Sequence, residues 1–130
     1  MKTYRELEIY QISHDLAVRV HKMTLRLPQF ELYEEGSQLR RSAKGIASCI
    51  VEGYGRRKYK AEFARFLVYA HASCDETIEH LRVIADTHDN VKDDAERFMA
   101  EYNQLGGKIH RFLKCVESDW QSGGRNEDDP

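Results

Sequence analysis

Between Pro28 and Pro130 the chain runs for over a hundred residues without a proline. A β-sandwich or barrel of this length needs many turn signals, and here the commonest breaker is missing. An all-helical fold is therefore favoured before any single segment is read. With 130 residues there is room for one domain. Hydrophobic residues at 41% and charged residues at 32% set the chain apart from disordered, collagen-like and membrane classes.

Apolar spacing divides that proline-poor stretch and the residues before it into four periodic segments. Ile9, Ile12, Leu16, Val20, Met23 and Leu27 follow at steps of three and four, which predicts a helix from Arg5 to Leu27, ended by Pro28. After a polar and aromatic connection from Gln29 to Glu34, Leu39, Ala43, Ile46, Ala47, Ile50 and Tyr54 resume the spacing. That second helix is expected to stop at Gly53 and Gly55, where glycine can adopt the left-handed cap conformation. The third predicted helix runs from Lys60 to Thr87 with Phe63, Phe66, Leu67, Ala70, Cys74, Ile78, Leu81 and Ile84 on one side. His88, Asp89 and Asn90 read as a turn, with Asn90 as a capping residue ahead of Asp93. A fourth helix carries Ala95, Phe98, Met99, Tyr102, Leu105, Ile109, Phe112, Leu113 and Val116, with Trp120 one turn further.

Four amphipathic helices with short connections bury their stripes most simply as an antiparallel up-down-up-down four-helix bundle. The expected organisation is a bundle domain over residues 1–120 and a disordered polar tail over 121–130, which holds no apolar residue. Ile46, Ile50, Phe63, Leu67, Leu81, Ile109 and Phe112 are expected in the core. No repeat of 20 to 50 residues is present. Cys49, Cys74 and Cys115 form no CxxC pair and no secretory segment follows Met1, which suits a reducing cytoplasm and core-packed thiols. No stretch approaches the ~18 apolar residues of a membrane span.

The histidines and nucleophiles lack the spacing that chemistry needs, so no catalytic residue, metal site or cofactor site is expected. None of the six histidines follows a Glu at the Glu-x-x-His spacing of di-iron bundles. His14 and His21 lie two turns apart, too far for one zinc, and Glu76 with His80 reads as an i,i+4 pair. Cys74 has His71 nearby but no oxyanion donor, since mid-helix amides are already bonded. Gly53-Tyr54-Gly55 follows a helix and lacks phosphate-loop spacing. Gly106 and Gly107 inside the fourth helix each cost about 1 kcal/mol relative to Ala. A close approach by another backbone, within the bundle or from a second subunit, is expected to offset that, with a kink as the alternative. Small residues on several faces of the second helix also hint at a homo-oligomer.

Charge is informative through its distribution. The net charge is −2, yet Gly36 to Phe66 holds Arg40, Arg41, Lys44, Arg56, Arg57, Lys58, Lys60 and Arg65 against only Glu52 and Glu62. That segment carries +6 and leaves −8 for the remainder. The eight cations are candidate nucleic-acid-binding residues: Arg40 and Lys44 share a face of the second helix, while Arg56, Arg57, Lys58 and Lys60 cluster at the turn into the third, a group that a ring of subunits would repeat as a basic rim, with Tyr54 and Tyr59 placed to stack on bases or to pack. A solvated face that pairs with acidic protein surfaces is the competing reading. Glu52, near a helix C-terminus where the dipole disfavours an acid, calls for an arginine: Arg65, or Arg41 of a neighbouring subunit.

Ser37-Gln38-Leu39-Arg40-Arg41-Ser42-Ala43, then Ile46, Ile50, Glu52-Gly53-Tyr54-Gly55-Arg56, then Phe63, Arg65-Phe66-Leu67, Ala70, Ser73 and Glu76, give the chain a family likeness. It resembles the four-helix-bundle proteins encoded in intervening sequences of bacterial large-subunit ribosomal RNA. Their relatives include the accessory variability protein of diversity-generating retroelements. The resemblance covers nearly all of Tyr4 to Val116. It implies a homopentameric barrel and, from the retroelement relative, a reverse transcriptase and RNA or DNA as partners. The family pattern has Pro-x-Asn where this chain has Ala47, Ser48 and Cys49, and Leu where it has Glu35.

Overall fold

In a computed structural model, which describes residues 3–120, every long element is a helix and no strand occurs among the described residues. The long helices are α1 (Glu8–Thr24), α3 (Glu35–Gly55), α4 (Lys60–Thr87) and α5 (Lys92–Asp119), with a one-turn α2 (Gln29–Leu32). The polar tail expected over 121–130 lies outside the described residues. No helix among the described residues is long and apolar enough to cross a membrane.

Adjacent helices run antiparallel around a square, α1 to α3 to α4 to α5 and back to α1. Along the last seam Lys108 meets Glu8, Arg19 meets Glu101 and Arg26 meets Asp94, so rising numbers on α1 oppose falling numbers on α5. Thr77 Oγ1 donates to Ser42 Oγ at 2.9 Å between α4 and α3. Cys74 Sγ donates to the Tyr102 carbonyl at 3.2 Å between α4 and α5. The up-down-up-down bundle anticipated from the four stripes is thus the observed fold.

Ile46, Ile50, Phe63, Leu67, Leu81 and Ile109 are fully buried, as the stripes require. Phe112 is only half-buried, because it lies near the open end of α5 and packs edge-on against Phe63. Three buried hydroxyls are satisfied locally: Ser13, Thr24 and Ser42 donate to carbonyls one turn back at 2.7–3.2 Å. The cysteines do not share one environment. Cys74 is buried, Cys49 half-buried and Cys115 exposed, the last because its position falls off the α5 stripe.

The helix ends differ from the sequence expectation in instructive ways. The Arg5–Leu27 helix is shorter at both ends: a 3₁₀ turn at Tyr4–Glu6 precedes it, and Leu7 is extended. At its C-terminus Leu27 N–H donates to the Thr24 carbonyl, a tightened last turn ahead of Pro28. Asn90 is not a helix cap. It sits in a 3₁₀ turn, Asp89–Val91, and its side-chain amide donates to the Arg26 carbonyl at 3.1 Å, tying α1 to the α4–α5 connection.

Gly53 and Gly55 take no left-handed cap conformation. Gly53 is needed for closeness instead: a Cβ there would lie 3.1 Å from Phe66 Cβ and 3.2 Å from Phe63 Cδ1, so α3 and α4 approach through it. Gly106 behaves otherwise. A Cβ there would meet Cys74 Sγ at 3.6 Å, ordinary contact, and one at Gly107 would meet only Arg111 of its own helix at 3.4 Å. Among the described residues no backbone of another helix presses on this pair, and α5 runs unbroken through it.

Candidate nucleic-acid interface

The eight cations divide between two regions of the subunit. Arg40 and Arg56 stand sixteen residues apart on α3, about 24 Å along its axis, so they belong to opposite ends of the bundle. Arg40 is half-buried and committed inward: Nη1 donates to Thr24 Oγ1 at 2.8 Å and Nη2 to the Leu32 carbonyl at 2.9 Å. It clamps α3 to α1 and α2. Two of its five N–H donors are thereby spent inside the subunit.

At the other end Arg56, Arg57, Lys58 and Lys60 do gather at the turn from α3 into α4, but most are engaged. Arg56 pairs with Glu52 at 3.4 Å and Glu62 at 3.1 Å, while Arg65 pairs with the same Glu62 at 3.2 Å. The arginine that compensates Glu52 is therefore Arg56, one turn along, and not Arg65. Arg57 donates to the Tyr54 carbonyl at 3.1 Å and lies 4.2 Å over the Tyr54 ring. Its own carbonyl accepts Trp120 Nε1–H at 2.6 Å. Lys60 Nζ donates to the Glu117 carbonyl at 3.0 Å, a cation on the last turn of α5 where the helix dipole favours it.

Arg41, Lys44 and Lys58 remain exposed and carry no ion pair among the described residues. Lys44 has company that the sequence reading missed. Antiparallel packing sets it across a shallow groove between α1 and α3, lined by His14, Ala17, Val18, His21, Lys22 and Ala47. Burial, followed by the charges of Lys44 and Arg40, lowers the pKa of His21, so this groove disfavours added positive charge. Lys22 lay outside the basic segment in sequence. Only the pairing of α1 with α3 brings it beside Lys44.

The aromatic residues also separate. Tyr54 is buried at 4% exposure and packs on Phe63, whereas Tyr59 is 57% exposed with Lys58 Nζ at 6.0 Å from its ring. Tyr69, unremarked in the sequence, is 44% exposed and meets Phe66 edge-on at 5.4 Å. Arg56 lies 4.8 Å over Phe66, and Arg65 lies 5.4 Å over Phe66 and 5.8 Å over Tyr69.

Elsewhere the titratable groups serve packing. Burial pushes the Cys74 thiol up to about 12, far from the range in which a thiolate attacks. Among the described residues no group of three or more His, Cys, Asp or Glu side chains could hold a metal ion. His80 pairs with Glu76 at 3.3 Å, as the i,i+4 spacing suggests, and also with Glu35 of α3, the position where leucine was expected by resemblance.

A family model described as 23S rRNA-intervening sequence protein matches residues 5–111. No curated protein matches the chain.

Proposed function

Because the chain belongs to the 23S rRNA-intervening sequence protein family, we propose that it is a non-catalytic, oligomeric accessory protein that binds nucleic acid with weak sequence selectivity. One observation carries the reading. Arg41, Lys44 and Lys58, joined by Lys22, face solvent without an acidic partner among the described residues, although the rest of the chain outside Gly36–Phe66 carries −8. Cations kept clear of available acids are placed to meet phosphates. The association of the family with 23S rRNA supports RNA as the polyanion.

The remaining parts of this reading come from the resemblance. A closed ring of five subunits in a bacterial cytoplasm would repeat the cations and multiply weak phosphate contacts. Gly106 and Gly107, not pressed from within the subunit, would suit a neighbour's approach. Arg41 would then be free to reach Glu52 of that neighbour or a nucleic acid. A reverse transcriptase is the protein partner that the retroelement relatives suggest.

A second reading, a structural or protein-interaction module with no nucleic-acid role, is favoured by one fact: Arg40, Arg56, Arg57, Lys60 and Arg65 are all engaged inside the subunit. Binding measured by fluorescence anisotropy between roughly 50 and 200 mM salt separates the two. The proposed reading expects a steep fall of affinity with salt. Replacing Arg41, Lys44 and Lys58 by Gln together flattens the slope of log K against log salt by about 0.7 to 0.9 per lost contact. A parent protein that binds neither RNA nor DNA at low salt leaves the interaction module standing.

A further inference from the structure

The start of α4 carries planar groups in an arrangement that phosphate binding does not use. Arg65 lies over both Phe66 and Tyr69, Arg56 lies over Phe66, and Tyr59, 57% exposed, opens the helix. Glu62 accepts from Arg56 at 3.1 Å and from Arg65 at 3.2 Å, and Glu52 lies 3.4 Å from Arg56. The carboxylates occupy N–H edges of these guanidiniums and cancel their charge. About half of each side chain, 47% for Arg56 and 51% for Arg65, stays exposed beside the rings.

From this placement we infer that the start of α4 is a stacking platform for unpaired bases, so that the protein selects single-stranded over duplex nucleic acid. A guanidinium held over a ring can still meet a further planar group from its solvent side, and half of the Arg65 side chain is exposed to receive one. Tyr59 and Tyr69 are ten residues apart, about 15 Å along the helix, the length of roughly four nucleotides stacked at 3.4 Å. In a duplex the base faces are covered by their neighbours and cannot reach this surface. In a single strand every base has a free π-face, which makes such recognition tolerant of sequence. Lys58, exposed beside Tyr59, is the cation placed to follow the backbone of the same strand.

The inference rests on the nucleic-acid reading proposed above, and the test keeps the two apart. Affinities of the full chain are measured for single-stranded RNA and DNA of about 16 nucleotides and for the matching duplexes. The expected result is tighter binding of either single strand than of its duplex. The Tyr59→Ala, Tyr69→Ala double variant should lose roughly tenfold or more on single strands and little on duplexes. The Tyr59→Phe, Tyr69→Phe variant, which keeps the rings, should bind as the parent does. Equal affinity for single strand and duplex, or single-strand binding untouched in the double Ala variant, overturns the platform and leaves salt-dependent phosphate binding intact. Failure of the parent to bind any of the four ligands overturns both.

Discussion

The two ends of the bundle are closed by different chemistry. Where α1 and α4 finish and α3 and α5 begin, the ties are ionic and histidine-based. His88 Nε2 lies 2.6 Å from Glu31 Oε2, His80 pairs with Glu35 and Glu76, Arg26 pairs with Asp94, and Arg40 clamps Thr24 and the Leu32 carbonyl. Where α3 and α5 finish and α4 begins, the ties are aromatic. Phe63 meets Tyr54, Phe112 and Trp120 at ring separations of 6.3, 5.8 and 5.1 Å, and arginines cover the outer rings. One end is therefore held by paired carboxylates and imidazoles, and the other by ring packing under arginines, of which Arg56 and Arg65 also share Glu62. Both ends expose rings, Phe30 and Tyr33 at the ionic end and Tyr59 at the aromatic one, and Lys58 stands beside Tyr59.

The contrast breaks most visibly at Phe63. Phe63→Ala should cost about 3 to 5 kcal/mol in urea unfolding, because it empties the centre of the aromatic end. A loss under about 1 kcal/mol would show that this end contributes little. Next in size is Gly53→Ala, expected to cost about 1 to 3 kcal/mol, since the new Cβ must displace Phe66 or spread α3 from α4. The same measurement checks it.

At the opposite end Glu31→Gln should cost about 1 to 2 kcal/mol at neutral pH. The His88 hydrogen bond, helped by the Glu35 amide, holds the Glu31 carboxyl below its ordinary 4.5. A carboxyl depressed on folding contributes stability that is present above 4.5 and lost as pH falls through its lower folded value. Acid titration of the parent should therefore loosen this end first below about pH 4.5, seen as earlier hydrogen exchange around α2 than around Tyr54. Glu31→Gln should remove that part of the acid dependence, and identical acid profiles for the two proteins would defeat the assignment.

The smallest effect sharpens the comparison of two glycines. Gly106→Ala should stabilise the subunit by about 0.5 to 1 kcal/mol, because its Cβ meets only ordinary contacts. If the variant folds well but light scattering shows a lost assembly, a neighbouring subunit packs on Gly106.

Most of the bundle was legible in the sequence because helix periodicity is local. The stripe through Ile46, Ile50, Phe63, Leu67, Leu81 and Ile109 names its own buried face, and burial follows from spacing alone. The missing prolines and the positions of the turns needed nothing more. Helix ends were less legible, since Asn90 is a good cap by type yet serves Arg26 across the bundle. The candidate interface was least legible. A residue's charge is written in the sequence, but its availability depends on which atoms other helices bring within 3 Å. Thr24 and Leu32 took Arg40 inward, Glu62 joined Arg56 to Arg65, and Lys22 arrived beside Lys44 from outside the basic segment. Apolar burial is non-directional and sums along one helix, so the sequence alone determined the core. Hydrogen bonds and ion pairs need partners at set distances and angles, so only the tertiary structure decided which cations face solvent.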